Sequence, residues 1–149
     1  ETVGLVINHP SKIKLHEIID DIPNSDFPVY IGGPVSKNSI HFIHSLGRLI
    51  PNSIKIYNGL YFGGDFDVVK DLLWKGKINK ENMRFFSGYS GWEANQLEDE
   101  LKENSWILKE KNLKLSMQYS NKDYWSEIIR KMDKKYAIWA NFPKNPSLN

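Results

Sequence analysis

Residues 88–101 read Gly88-Tyr89-Ser90-Gly91-Trp92-Glu93-Ala94-Asn95-Gln96-Leu97-Glu98-Asp99-Glu100-Leu101. The stretch predicts a strand end, a tight glycine turn and then a helix. Ser90 followed by Glu93 is a capping-box pattern, in which each side chain satisfies a backbone N–H left unpaired by the first helical turn. Ala94, Leu97 and Leu101 recur at helical spacing and give that helix one apolar stripe. Trp92 adds a large apolar anchor at the first turn. A glycine turn opening into a helix start is also a place where an anion can sit.

Working upstream, Met83-Arg84-Phe85-Phe86 is the strand that feeds this stretch. Before it, Asp65 caps a helix whose Phe66, Val69, Leu72 and Leu73 face inward, with Gly76 closing it. The hairpin ahead of that helix is the clearest local signal. Ile54–Tyr57 and Leu60–Phe62 flank Asn58-Gly59, the preferred pair for a two-residue turn. Ser39–Ser45 alternates as a strand with Ile40, Phe42 and His44 on one face and His41 and Ile43 on the other. Pro28–Ile31 is a short strand running into Gly32-Gly33-Pro34. Leu15, Ile18, Ile19 and Ile22 predict a short amphipathic helix, and Thr2–Asn8 a first strand stopped by His9-Pro10.

Downstream, Trp106-Ile107-Leu108 and the alternating Leu113, Leu115 and Met117 read as two further strands. Ser120 or Asn121 caps a last helix with Trp125, Ile128, Ile129 and Met132 on its inner stripe. The segment from Tyr136 reads as an irregular tail that docks through Trp139 and Phe142. Strands and helices mixed with hairpins give the α+β class, a single domain over residues 1–149 with a mixed, mostly antiparallel sheet.

At 149 residues, 40% hydrophobic and 26% charged, the chain has the composition of a globular protein. No run approaches the roughly 18 apolar residues that span a bilayer. No leader pattern is visible, and a cytoplasmic location is expected. The absence of cysteine removes disulfides, thiol nucleophiles and thiolate metal sites together. The net charge of +2 does not by itself imply nucleic acid, but it is unevenly spread. Residues 1–100 balance to −3 and residues 101–149 to +5, so the last third presents a lysine-rich face. The chain begins at Glu1 with a strand already in progress, which leads us to expect residues ahead of it in the full protein.

The chemistry-bearing groups form no familiar catalytic motif. His41 and His44 are spaced H-x-x-H, but on a strand they point to opposite faces and cannot share a metal; no metal and no cofactor is expected. Ser90 is not in the G-x-S-x-G nucleophile elbow, because a glycine follows it directly. Glu98, Asp99, Glu100 and Glu103 spread around their helix as a solvated face, with Glu98 and Lys102 an ordinary i, i+4 pair. Glu100 is the exception, since it borders the apolar stripe near Glu93 and Gln96. The glycine pairs Gly32-Gly33 and Gly63-Gly64 match no nucleotide-binding pattern, and no DNA- or RNA-binding motif is present.

Three segments together resemble the YqgE/AlgH family of small bacterial proteins. They are Gly4-Leu5-Val6-Ile7-Asn8-His9-Pro10, Tyr30-Ile31-Gly32-Gly33-Pro34-Val35, and the quoted stretch, which matches G-[YH]-[AS]-G-W-x-x-x-Q-L-x-x-E at Gly88, Tyr89, Ser90, Gly91, Trp92, Gln96, Leu97 and Glu100. His44, Trp106 and Trp125 also match family positions. His9 departs from the usual Lys or Arg, which puts any anion role there in doubt. The resemblance also implies a segment ahead of the G-L-V-x-N strand, which is expected before Glu1 in the full protein.

The resemblance implies an α+β fold whose bifurcated sheet curls into a pseudo-barrel flanked by helices. It brings no secure activity; members carry the label of transcriptional regulator on genetic grounds. The reading is therefore a non-catalytic binding or regulatory protein with a protein or small-molecule partner, without direct nucleic-acid or membrane binding. Its candidate site comprises Gly32, Gly33, Pro34, His44, Ser90, Gly91, Trp92, Gln96 and Glu100. The alternative is a hydrolase using Glu100 or His44 as general base, which requires both at one solvent-filled cleft.

Overall fold

A computed structural model describes residues 1–119 and 124–132. It divides into two compact units, Glu1–Tyr119 and Ser120–Asn149, and among the described residues every strand belongs to the first. The strands are β1 (Thr2–Gly4), β2 (Pro10–Lys14), β3 (Pro28–Ile31), β4 (Val35–His44), β5 (Ile54–Tyr57), β6 (Leu60–Phe62) and β7 (Met83–Trp92). The first unit also holds α1 (Phe66–Trp74), α2 (Gln96–Lys102) and α3 (Leu113–Met117). The second holds α4 (Tyr124–Arg130).

The sheet runs in the order β2-β3-β7-β4-β6-β5. Only β3 and β7 pair in parallel, so the expected mixed, mostly antiparallel sheet is present, open at β2 and β5. Its fork lies in β7. Phe85–Ser87 sits between β3 and β4, whereas Ser90–Trp92 pairs with β1, with Gly4 opposite Ser90 and Thr2 opposite Trp92.

A strand enclosed on both faces should be apolar at consecutive positions, and Met83, Phe85 and Phe86 are fully buried. Phe85 packs with Phe27, Val29 and Phe42 in a cluster that Leu15, Ile50, Val69 and Leu73 also join. Phe86 packs on the other side with Tyr30, Ile43, Leu60 and Met117, and Leu5, Ile7 and Leu113 lie against that cluster. Phe42 and Ile43 thus fall into different clusters, as the alternation in β4 requires.

Several local readings are corrected. β7 does not stop at Gly88 but continues to Trp92, because the backbone of residues 90–92 is taken up by the ladder with β1. The Ser90–Glu93 capping box therefore does not form. The helix starts at Gln96 behind Asn95, whose φ is 68° and whose side chain makes no cap. Its intended stripe is shallow, with Ala94 exposed and Leu97 and Leu101 half-buried. The Leu15–Ile22 helix reduces to one 3₁₀ turn, Leu15–Glu17, and the first strand to Thr2–Gly4. Residues 106–108 form no strand, and Leu113–Met117 is a helix capped by Asn112, which accepts from the Leu115 N–H.

In α4 the buried positions are Ser126 and Ile129, while Trp125 is 37% exposed and so lies off the expected stripe. The expected caps Ser120 and Asn121 and the tail from Tyr136 lie outside the described residues.

Gly33 and Gly88 are where the two arms of the fork meet. A Cβ on Gly33 would lie 2.2 Å from the Tyr89 carbonyl carbon and 2.4 Å from the Ser90 nitrogen. Gly88 has φ +68°, and its Cβ would meet the carbonyl oxygens of Gly33 and Val35 at 2.7 and 2.8 Å. These are backbone atoms held in a ladder, so they cannot give way as a flexible side chain would. Gly33→Ala is expected to lower stability in urea by at least about 3 kcal/mol. Gly76→Ala, at φ +67° with open space around it, should lose only about 1 kcal/mol. Equal losses in the two variants would contradict the close-approach account.

Candidate functional site

The far end of β7 gathers most of the candidate residues. Trp92 ends the strand, and its indole lies over Gly4, where an added Cβ would be 2.9 Å from the ring. Its Nε1–H donates to Glu100 Oε2 at 3.1 Å. Trp106, arriving from the segment after α2, donates to the same oxygen at 2.8 Å. Gln96 donates from Nε2 to Glu100 Oε1 at 3.1 Å, and its own Oε1 accepts the Glu93 N–H at 3.0 Å. The two indoles stand edge to face, 5.7 Å apart at 66°. Ser90 donates weakly to the Gly32 carbonyl at 3.5 Å.

Both oxygens of Glu100 therefore receive neutral N–H donors, which favours the charged form. The Trp106 N–H, joined by Trp92 and Gln96, holds the Glu100 carboxyl below its ordinary value, against an opposing effect of burial. The expected Glu98–Lys102 pair is not the one made; Lys102 instead meets Asp99 at 2.9 Å.

His44 lies elsewhere. It pairs with Met83 at the start of β7, seven residues from Ser90 along the strand, a separation on the order of 20 Å. It is fully buried and stacks on Tyr61 at 5.6 Å and 13°. Its Nδ1 accepts the Leu46 N–H at 3.2 Å, which places the ring proton on Nε2, where the Gly63 carbonyl accepts it at 3.0 Å. Ser53 Oγ lies 2.9 Å from the same nitrogen. Burial pushes the His44 pKa down, against the opposing pull of the Gly63 carbonyl. The imidazole is thus held neutral as a buried connector between β4, the Ser53 turn and Gly63.

Gly32 and Gly33 are buried against the Gly88–Ser90 backbone of β7, and Pro34 is exposed. The Gly32 N–H donates to Ser87 and its carbonyl accepts from Val6 at 2.8 Å, so this backbone is already engaged. Among the described residues no three His, Asp or Glu side chains gather as a metal site, and no helix is long and apolar enough to cross a membrane.

Sequence reading missed two participants. Trp106 reads as part of a strand, because nothing in a lone tryptophan followed by Ile107 and Leu108 marks it as a donor reaching back to a helix. Arg84 lies inside the apolar run Met83–Phe86, where a charge is itself a signal. It is fully buried, its Nη1 donating to the Ser116 carbonyl at 2.8 Å and its Nη2 to the Ile7 carbonyl at 2.7 Å.

The AlgH-like profile DUF179 matches residues 1–137, and the chain belongs to the AlgH-like family. Among curated relatives, the UPF0301 protein BF2109 of Bacteroides fragilis is 40% identical over 149 residues, 99% of this chain and 76% of the relative. A UPF0301 protein of Chlorobium limicola is 38% identical over 148 residues, covering 99% and 79%. Among solved structures, the AlgH protein of Pseudomonas aeruginosa aligns with TM-score 0.71 at 23% identity, covering 96% of this chain and 78% of that one. The protein DIP2367 of Corynebacterium diphtheriae aligns with TM-score 0.68 at 19% identity, covering 94% and 75%. These two share the fold, and none of the names states a reaction.

The depressed Glu100 pKa fixes a sign. A carboxyl held below its unfolded value stabilises the cluster at higher pH, and that contribution is lost as pH falls through the folded value. Indole fluorescence is therefore expected to change on acidification below the ordinary carboxylate value of about 4.5, while far-ultraviolet circular dichroism still reports a folded chain. Glu100→Gln should abolish that transition. An unchanged transition in the variant would show that Glu100 does not report there.

Proposed function

We propose that this protein is a non-catalytic, cytoplasmic binding or regulatory protein of bacteria. Its contact surface is the end of β7 around Ser90, Gly91, Trp92, Gln96 and Glu100, with Trp106 completing it. The observation that carries this reading is the state of the two candidate general bases. Glu100 accepts three internal N–H donors, and His44 is buried with both ring nitrogens engaged. The hydrolase considered needs both groups at one solvent-filled cleft, whereas His44 is buried beside the start of β7 and Glu100 stands beside Trp92 at its end.

The Trp92 surface has the character of a contact site in other respects. Trp106 is 45% exposed, and indoles held rigidly by hydrogen bonds give large contact area at little entropic cost. In this reading His44 supports the sheet from inside, and Gly32 and Gly33 let their backbone pack closely on the Gly88–Ser90 segment that leads to the surface. The partner is a protein or a small molecule. Glu93, Glu98, Asp99 and Glu103 are exposed around α2, and a phosphate backbone would be repelled there. A transcriptional role, if the family label applies, runs through such a partner instead of through DNA.

Site-specific photo-crosslinking in the native host tests this. A crosslinker at Gln96 or Trp106 is expected to give a discrete adduct, and one at Leu49, which is 61% exposed but lies far from the fork, should give none. Absence of any adduct at Gln96 and Trp106, or equal labelling at Leu49, would overturn the reading.

A further inference from the structure

A second site lies on another part of the sheet. Between Val35 and Ile40 the register of β4 slips. Val35 faces Tyr89 and Ile40 faces Ser87, so five steps along β4 are matched by two along β7. The three extra residues form a wide bulge, a device that re-aims side chains and concentrates beside functional sites. Ser36 takes φ 48° within it, in the left-handed region that non-glycine residues seldom occupy. The bulge is pinned at two points, by Ser39 Oγ donating to the Ser36 carbonyl at 2.6 Å and by Ser87 Oγ donating to the Lys37 carbonyl. A strained, doubly fastened loop at a sheet edge has a specific arrangement to maintain.

That arrangement is a cleft. Lys37 and Asn38, at the crest of the bulge, line a cavity of about 450 Å³ together with β2, β3 and the Ile18 turn. Its interior is aliphatic, with Val29 buried at the base, Ile31 and Ile40 on the sheet, and Ile13 and Ile18 along the outer side. Among the described residues its one aromatic ring is the exposed His9 imidazole, so no buried ring is there for a nucleobase to stack on. No carboxylate lines it either. Ser11 is already spent, donating to the Val29 carbonyl at 2.6 Å. Lys37 makes no ion pair among the described residues.

An aliphatic pocket of this size, with the Lys37 ammonium, the Asn38 amide and the His9 imidazole among its lining groups, calls for a flexible alkyl chain ending in a single negative charge. We propose that the cleft between the β4 bulge and β2–β3 binds a medium-chain aliphatic carboxylate, with Lys37 and Asn38 holding the carboxylate and Ile13, Ile18, Ile31 and Ile40 enclosing the chain. The site is separate from the Trp92 surface, so this inference and the function proposed above stand or fall independently.

Calorimetric titration of the full chain with butyrate, hexanoate and octanoate tests it. Affinity should tighten about fourfold per added methylene, and octylamine should bind more weakly than octanoate. Lys37→Gln should weaken octanoate about tenfold while leaving octan-1-ol binding unchanged. Ile18→Asp should abolish octanoate binding. Both positions are exposed, and unchanged thermal unfolding of the two variants will show that the fold is retained. The proposal is overturned if octanoate gives no heat of binding, if affinity ignores chain length, if octylamine binds as tightly as octanoate, or if Lys37→Gln binds octanoate like the parent chain.

Discussion

A buried guanidinium organises one whole side of this sheet. Arg84 projects from the most enclosed strand and is itself fully buried. Its two Nη groups reach the carbonyls of Ile7 and Ser116, 77 residues before-strand and 32 residues beyond it in sequence. Its guanidinium carbon lies 4.3 Å from the Tyr30 ring centroid, 5.1 Å from that of Phe86 and 5.3 Å from that of Tyr119. A planar, weakly hydrated cation suits such a place, because it can stack on rings while its fixed fork meets acceptors in two directions. Arginine thus joins a segment near the start of the chain and a helix beyond α2 to one strand.

Much of the remaining architecture follows from that junction. Tyr119 closes over Arg84 and donates its hydroxyl to the Met83 carbonyl at 2.5 Å, and burial pushes its pKa far above the ordinary tyrosine value despite the neighbouring cation. The segment around Ile7 is held beside the sheet, which keeps β1 against the outer half of β7. With β1 in place, residues 90–92 are a strand, Trp92 ends that strand over Gly4, and its indole meets Glu100. The surface proposed as the contact site is therefore a consequence of how β7 is gripped upstream.

This dependence explains what could be read from the sequence and what could not. The Asn58-Gly59 hairpin and the Asp65-capped helix are local, since a two-residue turn or a cap needs only its own neighbours. Asp65 does accept from the Asp67 N–H, at 3.0 Å. The alternation in β4 was equally legible, because both faces are enclosed by different clusters. Ser90 and Glu93 satisfied a local pattern too, but the ladder with β1 offered the same backbone a competing set of hydrogen bonds, and the non-local set prevails. Leu113, Leu115 and Met117 fit a strand period by composition alone, and the Asn112 cap decided for a helix. At the site, Glu100 stood out beside the apolar stripe, whereas Trp106 could be assigned to it only once the chain was folded. The β4 bulge carried no sequence mark beyond a polar run at residues 36–39.

The most direct test of this account is the urea stability of Arg84→Lys. Lysine keeps the charge and much of the stem, but its compact ammonium cannot bond both carbonyls at once. A loss of about 2–4 kcal/mol is expected, with a cooperative transition retained. A variant as stable as the parent, within about 0.5 kcal/mol, would show that the two-carbonyl bracket is not what the structure depends on.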